Sequence, residues 1–317
     1  MKALISRALP EEALAIARTA ADLEIWPGEV PPPREALLEI VADCDGLLCL
    51  LTDRVDFALL DRAPRLRVVS QMAVGYDNID IAACTSRGIR VGNTPGVLTE
   101  TTADLAFALL MAAARRVTEA ERYLRSGSWQ TWSPMLLTGP DIHHATLGIV
   151  GLGRIGYEMA RRARGFEMRI LYTNRTRNEA AERDFGAERV NLDTLLRESD
   201  FVSIHTPLSP ETRHLIGATD LAKMKPTAVF VNTARGPVVD QRALYEALRD
   251  REIAAAGIDV FEVEPLPMDD PLLTLDNVVL LPHIGSASIA TRTKMAVLAA
   301  NNLVSGLKGE PLPHPVN

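Results

Sequence analysis

A glycine-rich turn between a short apolar run and an amphipathic segment is the feature that most restricts the fold of this chain. His144–Val150 reads as a buried strand, a G-x-G-x-x-G motif occupies residues 151–156, and helical periodicity follows. In this context Gly151 allows a tight turn, Gly153 lets the backbone approach a pyrophosphate, and Gly156 allows close packing of helix on strand. The sequence therefore predicts a dinucleotide bound at the helix N-terminus, with a ligand-free glycine turn as the alternative.

Short apolar runs alternate with helical patterns along most of the 317 residues, which is typical of α/β proteins with parallel sheets. The predicted strands are Lys2–Ala8, Gly46–Leu51, Leu66–Ser70, His144–Val150, Met168–Thr173, Asp200–His205, Ala228–Asn232, Ala254–Asp259 and Val278–Leu281. The predicted helices include Glu11–Leu23, Arg34–Ala42, a long helix from Leu98 to Ser126, and Arg154–Gly165. We predict two doubly wound parallel-sheet domains, a Rossmann-type cofactor domain and a flavodoxin-like substrate domain.

The predicted domain boundaries follow from two features. Short strand and helix patterns give way to a long predicted helix just after Pro95, and the C-terminal segment is short. Residues 98–285 contain the strands of the dinucleotide-binding domain, and residues 1–97 form the substrate domain. Residues 286–317, a helix and a proline-rich tail, are too short for a domain of their own. We expect them to return to the first domain, so the substrate domain is predicted to be discontinuous.

The loop after the second strand of the dinucleotide-binding domain bears on the choice of nicotinamide cofactor. An NAD site normally has Asp or Glu here to bind the ribose 2′-hydroxyl, but residues 168–178 contain no carboxylate. The loop instead contains Asn174, Arg175, Thr176 and Arg177, and a guanidinium binds phosphate through paired hydrogen bonds. NADP(H) is therefore the predicted cofactor and NAD(H) the alternative; solvated arginines in a plain turn are the competing interpretation.

Three further polar segments follow predicted strands, where a doubly wound sheet presents its ligand face. They are residues 231–236 (VNTARG), 259–265 (DVFEVEP) and 281–286 (LPHIGS). Four more motifs extend the set over essentially the whole chain. They are residues 73–80 (AVGYDNID), 93–99 (NTPGVLT), 285–288 (GSAS) and 299–303 (AANNL). In this order and spacing the sequence resembles the D-isomer-specific 2-hydroxyacid dehydrogenase family, and within it the glyoxylate reductase/hydroxypyruvate reductase group.

The resemblance places the catalytic residues of the family on Arg235, Glu264 and His283. Arg235 would bind the carboxylate and carbonyl of a 2-oxo acid, and His283 would protonate the developing alkoxide. Glu264 would orient the imidazole and keep it protonated near neutral pH. Glu262 competes for this role, but the family pattern places the acid immediately before the proline. The implied reaction is NADPH-preferring reduction of glyoxylate/hydroxypyruvate to glycolate/D-glycerate, without a metal.

The resemblance also implies which residues contact the ligands. Cofactor contacts are expected at Gly151, Leu152, Gly153, Arg154, Ile155, Gly156, Asn174, Arg175, Thr176, Thr233, Ala234, Asp259 and Gly285. Substrate contacts are expected at Val74, Gly75, Arg235, His283 and Ser286. Asp259 would meet the nicotinamide amide, and Val74 and Gly75 would use their N–H groups unless they form a plain turn. Trp132 would either close a small pocket across a homodimer or pack in its interface.

Composition disfavours other classes of function. A net charge of −7 and a pI near 5.5 argue against nucleic acid as a partner, and the longest apolar run, Leu105 to Ala114, is too short for a membrane span. Cys44, Cys49 and Cys84 lack metal-site spacing, so buried free thiols and a cytoplasmic location are expected. Two alternatives stay open: another D-2-hydroxyacid dehydrogenase of the 3-phosphoglycerate type, and a non-catalytic dinucleotide-sensing module like a corepressor.

Overall fold

In the computed structural model, which describes all residues from Met1 to Asn317, the N-terminal part of the chain builds a five-stranded parallel sheet. Its strands are β1 (Lys2–Ile5), β2 (Asp22–Ile25), β3 (Gly46–Cys49), β4 (Val68–Gln71) and β5 (Arg90–Gly92), in the order β2-β1-β3-β4-β5. The helices between them are α1 (Glu11–Ala17), α2 (Arg34–Val41), α3 (Phe57–Arg62) and α4 (Ile81–Ser86). Every residue of β3 and β4 is buried, as expected for parallel strands covered on both faces.

The middle of the chain builds a second parallel sheet, of seven strands. It is preceded by helices α5 (Thr99–Ala114) and α6 (Val117–Arg125). The strands are β6 (Thr146–Val150), β7 (Arg169–Thr173), β8 (Glu188–Arg189), β9 (Phe201–Ile204), β10 (Val229–Asn232), β11 (Ala255–Ile258) and β12 (Val278–Leu280), in the order β12-β11-β10-β9-β6-β7-β8. The remaining helices are α7 (Arg154–Arg164), α8 (Glu179–Phe185), α9 (Leu192–Glu198), α10 (Ala218–Leu221) and α11 (Gln241–Arg249).

The position of the candidate site follows from this strand order. The order reverses between β6 and β9, and doubly wound sheets bind ligands outside the carboxyl ends of the strands at such a point. Both faces of the sheet are covered, because alternate residues of one strand enter different apolar clusters. On β10, for example, Val229 and Val231 pack in the cluster with α5 and α7, whereas Phe230 packs with α9 and α11.

The C-terminal residues return to the first sheet. Helix α12 (Ile289–Lys308) packs on α1, β3 and β4, and a Cβ on Gly306 would lie 2.3 Å from Val68 Cγ2, so only glycine fits there. The fully buried Asn302 donates from Nδ2 to the carbonyl oxygen of Asn93 at 2.8 Å. The chain forms two units, Met1–Leu98 with Ser286–Asn317, and Thr99–Gly285.

The α/β class with two parallel sheets is confirmed, but two predicted helices were too long. The helix predicted from Leu98 to Ser126 is two helices, separated at Arg116, whose φ of 53° lies in the left-handed region. Gly139 packs closely on the end of α5, since a Cβ there would lie 1.9 Å from the carbonyl oxygen of Ala114. The helix predicted at Glu11–Leu23 ends at Ala17.

Strands β2, β5 and β8 were not predicted. Strand β2 (DLEI) alternates polar and apolar residues and β8 (ER) is polar. Both are half-buried or exposed and lie at sheet edges, and β5 has only three residues. The apolar pattern that marks a buried strand is therefore weak in all three.

None of the helices combines the length and apolar character that a membrane crossing requires.

Candidate active site

The glycine-rich turn after β6 depends on two of its glycines for its shape. Gly151 has a φ of +95°, a backbone conformation that favours glycine, and a Cβ there would lie 2.7 Å from Thr206 Oγ1. A Cβ on Gly156 would lie 2.5 Å from the carbonyl oxygen of Gly151. Glycine at both positions therefore lets the chain turn sharply and lets α7 pack directly on β6.

The third glycine of the motif is explained by space for a ligand. A Cβ on Gly153 would meet nothing within 4 Å, so packing within the protein does not require glycine there. Gly153 precedes α7, whose N-terminus has no side-chain cap, so its N–H groups are available to an anion. At the end of β10, the buried Thr233 hydroxyl has no hydrogen-bond partner in the protein. An open turn, an uncapped helix N-terminus and an orphaned hydroxyl fit a dinucleotide.

Side-chain hydrogen bonds hold the loop that follows β7 against the glycine-rich turn. Asn174 accepts a hydrogen bond at Oδ1 from the Leu152 N–H at 2.7 Å and donates from Nδ2 to the Leu152 carbonyl at 3.2 Å. Asn178 donates to the same carbonyl at 3.0 Å. Asn174 therefore positions the loop against the turn; its direct contact with a cofactor stays a prediction.

Only one of the two arginines in this loop has an acidic partner. The Arg177 guanidinium lies 2.6 Å from Glu182 Oε2, and the Tyr172 hydroxyl donates to Glu182 Oε1 at 2.7 Å. Arg175 and Thr176 are exposed, and Arg175 forms no ion pair. The free positive charge of the loop is therefore carried by Arg175.

Arg235 is held in a short turn at the carboxyl end of β10. The buried Asn232 accepts at Oδ1 from the Ala234 N–H at 3.0 Å and donates from Nδ2 to the Arg235 carbonyl at 3.0 Å, which closes the turn. Gly236 then packs on the next loop, since a Cβ there would lie 1.9 Å from the carbonyl carbon of Phe261. Asn232 lies in the polar segment 231–236, but the sequence did not predict that its side chain closes this turn.

His283 and Glu264 form a hydrogen-bonded pair. His283 Nδ1 lies 2.7 Å from Glu264 Oε2, and Glu264 Oε1 accepts from the Phe261 N–H at 2.9 Å. Ring nitrogen Nε2 of His283 has no partner in the protein. His283 has a φ of 54°, and its N–H donates to the Asp259 carbonyl at 2.9 Å. The pair therefore has a fixed orientation and leaves one ring nitrogen available for proton transfer.

The electrostatic environment keeps Glu264 ionised. Burial alone would raise the pKa of its carboxyl, but the hydrogen bond and charge of His283 oppose this effect, together with the Phe261 N–H and the charge of Arg235. The result is a pKa below the ordinary value for a glutamate. The influence of Arg235 on Glu264 shows that the three predicted catalytic residues lie in one electrostatic neighbourhood.

Asp259 fastens the loop that carries His283. Its carboxylate is fully buried at the end of β11, and its oxygens accept from the N–H groups of Ile284 at 2.7 Å and Gly285 at 2.8 Å. Burial raises the pKa of this carboxyl, although these N–H groups and the charge of His283 favour the ionised form. The contact with the nicotinamide amide stays a prediction.

Glu262, which the sequence offered as an alternative to Glu264 for the acidic partner of His283, contacts a different histidine. Its Oε1 lies 2.8 Å from His214 Nε2 and accepts from the Gln241 N–H at 3.2 Å, while its own N–H donates to Gln241 Oε1 at 3.0 Å. Glu262 therefore ties the loop of Glu264 to α11 and to the loop before α10. No sequence motif marks the His214–Glu262 pair, so it was not predicted.

The predicted carboxylate-binding turn, Val74 and Gly75, follows β4 in the first unit. The Val74 carbonyl accepts from Asn93 Nδ2 at 2.8 Å and the Gly75 carbonyl from Gln71 Nε2 at 3.3 Å. The N–H groups of Val74 and Gly75 have no partner in the protein. Side-chain amides therefore fix the direction of this turn and leave two N–H donors available. Ser286 is half-buried at the start of the C-terminal segment.

Glu264→Gln is expected to slow reduction. Glutamine keeps the shape of the side chain but removes the negative charge that faces His283 Nδ1 and orients the ring. If an oriented His283 donates the proton, kcat/KM for reduction should fall at least about tenfold. Glu262→Gln is the matched control, since Glu262 contacts His214, and its kinetics should stay unchanged. Equal kcat/KM for wild-type protein and Glu264→Gln would contradict the assigned pair.

Comparison with known proteins supports the sequence prediction. Residues 107–285 match the family model described as D-isomer specific 2-hydroxyacid dehydrogenase, NAD binding domain. A glyoxylate reductase from Korarchaeum cryptofilum is 56% identical over 317 residues, which cover 100% of this chain and 96% of the relative.

Two crystal structures extend the comparison. A protein from Thermus thermophilus superposes with a TM-score of 0.94 at 46% identity, with 100% of both chains covered. An NADPH-dependent glyoxylate/hydroxypyruvate reductase from Sinorhizobium meliloti, in complex with NADP and malonate, gives a TM-score of 0.85 at 32% identity, covering 99% of this chain and 96% of that chain. The chain belongs to the D-isomer specific 2-hydroxyacid dehydrogenase family, and residues 107–285 are its NAD binding domain.

Proposed function

We propose that this enzyme reduces glyoxylate and hydroxypyruvate to glycolate and D-glycerate, with NADPH as the preferred source of hydride. The observation that carries the proposal is the His283–Glu264 pair, 2.7 Å apart, in the electrostatic neighbourhood of Arg235. The names of the Korarchaeum and Sinorhizobium reductases support these substrates.

The roles of the protein groups follow from their chemistry. When bound, the nicotinamide dinucleotide supplies a hydride to the carbonyl carbon of the 2-oxo acid. Arg235 binds the substrate carboxylate through its planar guanidinium, and His283 donates its Nε2 proton to the carbonyl oxygen, which becomes the hydroxyl of the product. Glu264 balances the positive charge of the imidazolium before transfer. In the reverse direction neutral His283 accepts the hydroxyl proton.

Each unit is assigned part of the ligand contacts. We assign residues 98–285 to the cofactor, together with Arg235, Glu264 and His283, and residues 1–97 with 286–317 to further contacts with the substrate. The free N–H groups of Val74 and Gly75 and the hydroxyl of Ser286 suit a carboxylate. For the cofactor, the open turn at Gly153, the uncapped start of α7 and the orphaned Thr233 hydroxyl support the proposed contacts. Leu152, Arg154, Ile155, Ala234 and Gly285 are assigned to the same site.

A substrate panel tests the proposed activity. Values of kcat/KM for glyoxylate, hydroxypyruvate, pyruvate and 3-phosphohydroxypyruvate, each with NADPH and NADH, should be highest for glyoxylate or hydroxypyruvate with NADPH. A clear preference for the phosphorylated substrate would instead favour a 3-phosphoglycerate-type enzyme. Folded protein that binds a dinucleotide but turns over none of these acids would favour the non-catalytic module.

Arg175→Met is expected to reduce the preference for NADPH. The variant removes the unpaired cation of the loop after β7, which we assign to the 2′-phosphate, so kcat/KM for NADPH should fall about tenfold while the value for NADH changes little. Arg177→Met is the matched control, because Glu182 already neutralises Arg177. Equal losses with both cofactors would contradict the assignment of Arg175.

We also propose that the enzyme is a cytoplasmic homodimer. Large apolar side chains are exposed on α6 and in the segment after it, including Leu124 at 58%, Trp132 at 76% and Met135 at 74%. Contiguous exposed apolar surface is typical of an interface. The three free, buried cysteines are consistent with a reducing compartment. Sedimentation equilibrium should give twice the chain mass of 34.6 kDa; a concentration-independent monomer would contradict the dimer.

A further inference from the structure

We propose that Arg189 is the second cation of the site for the cofactor 2′-phosphate and a determinant of the NADPH preference. This inference rests on the proposed cofactor and names a residue outside the loop that the sequence motif indicates. Arg189 is half of the two-residue strand β8, which lies at the edge of the sheet beside β7. No sequence pattern marks it, because β8 itself was not predicted.

The position of Arg189 is set by its contacts with the loop after β7. Its Nη2 donates to the carbonyl oxygens of Asn174 and Arg175, each at 2.9 Å. Its guanidinium therefore lies directly beside the backbone that takes the ribose 2′-substituent in a doubly wound dinucleotide domain. The other N–H groups of the guanidinium have no partner in the protein, and the side chain is exposed. Arg189 can thus bind a phosphate without breaking either contact.

The distance from this guanidinium to the pyrophosphate-binding turn is fixed as well. Asn174 bonds with one side-chain amide to both the N–H and the carbonyl of Leu152. The chain of contacts from Arg189 through Asn174 to Leu152 therefore joins β8, the loop after β7 and the glycine-rich turn. A site assembled in this way is organised before the cofactor arrives, which lowers the entropic cost of binding.

The charges around Arg189 support a phosphate rather than a hydroxyl. Glu182 forms its ion pair with Arg177 and accepts from Tyr172, so that it interacts with Arg189 only through space, and Glu188 is paired with Arg169. Glu211, which interacts with Arg175 through space, accepts a hydrogen bond from Ser209. Arg175 and Arg189 therefore provide two positive charges at this loop without a competing ion pair. An NAD site needs a carboxylate at the same place, and the loop has none.

The inference is tested by binding of two nucleotides in the absence of substrate. Calorimetric titration of the full chain with 2′,5′-ADP and with 5′-AMP isolates the contribution of the 2′-phosphate. Arg189→Met should weaken 2′,5′-ADP about tenfold and leave 5′-AMP unchanged, because a charge-assisted contact to phosphate is lost. Arg189→Lys should recover part of the loss, because an ammonium keeps the charge but lacks the planar fork. Arg183→Met, which removes an equal charge from α8 where Asp184 pairs it, is the matched control and should bind both nucleotides like the wild type.

Two results would overturn the inference. Equal weakening of both nucleotides by Arg189→Met would show that Arg189 only supports the loop, and an unchanged affinity for 2′,5′-ADP would show that it does not contact the phosphate. Equal affinity of the wild-type protein for the two nucleotides would overturn the NADPH preference together with this inference. The substrate panel tests the reductase activity independently, so a failure of the activity and a failure of the Arg189 assignment are distinguishable.

Discussion

Replacement of His283 by Asn is expected to lower kcat for reduction about 10²- to 10⁴-fold, the usual contribution of a general acid. The KM for glyoxylate and the affinity for NADPH should change little, because the role proposed for His283 is proton transfer to the reacting oxygen rather than binding. Asn is the informative variant: His283 has a φ of 54°, and Asn adopts the left-handed region more readily than most residues. The loss therefore reports the missing imidazole rather than a strained backbone. Steady-state kinetics and a titration of NADPH separate the two parameters.

His144 provides a matched control for this variant. It also has a left-handed backbone, with a φ of 60°, and its Nδ1 lies 3.2 Å from a carboxylate oxygen of Glu167, but its side chain is 65% exposed. His144→Asn should keep wild-type kinetics. A His283→Asn enzyme that retains kcat within a factor of about three would show that another group donates the proton.

Arg235→Ala is expected to lower kcat/KM for glyoxylate about 10²- to 10³-fold, mainly through a higher KM. The variant removes the cation assigned to the substrate carboxylate, and an unpaired charge in a binding site costs several kcal/mol. Arg235→Lys should recover only part of the loss, because an ammonium lacks the planar fork that binds a carboxylate through two bonds. Initial rates over a wide range of glyoxylate concentration give both parameters.

A second effect of Arg235→Ala concerns pH. The charge of Arg235 helps to hold the pKa of Glu264 below its ordinary value, so without it Glu264 becomes protonated at higher pH than in the wild type. As pH falls, the variant should therefore lose activity earlier than the wild type. Arg242→Ala is the control, since Arg242 on α11 is paired with Glu246, and its kinetics should be unchanged. Wild-type KM in Arg235→Ala would contradict the assigned role.

The parts of the fold that the sequence predicts are those in which a local pattern determines the structure. Apolar runs locate β6, β7, β9, β10, β11 and β12, and the spacing of glycines fixes the turn at Gly151, where the φ of +95° requires a residue without a side chain. The break between α5 and α6 was not predictable, because Arg116 gives no local signal for a left-handed backbone. At this break the chain around Gly139 packs on the end of α5, a contact between residues distant in sequence.

The same distinction, between local patterns and contacts distant in sequence, applies to the candidate site. That Arg235, Glu264 and His283 lie near one another was predictable, because each follows a strand of one sheet; their catalytic roles stay predictions. The residues that position them were not predictable, since their roles depend on partners distant in sequence. Asn232 closes the turn of Arg235, Asp259 holds the loop of His283 from 25 residues away, and Glu262 contacts a histidine 48 residues away. The sequence predicted a cofactor contact at Asn174, which stays a prediction, but not the bond from its side chain to Leu152.

The stereochemistry of hydroxypyruvate reduction tests the central claim most directly. Purified protein is incubated with hydroxypyruvate and NADPH, and the enantiomer of the product is determined by chiral chromatography. If Arg235 fixes the carboxylate while His283 protonates the oxygen and hydride arrives on one face, the product should be a single enantiomer. Membership of the D-isomer specific family predicts D-glycerate, and His283→Asn should form it far more slowly. Formation of L-glycerate or a racemate, or no oxidation of either NADPH or NADH by folded protein, would contradict the proposed reaction.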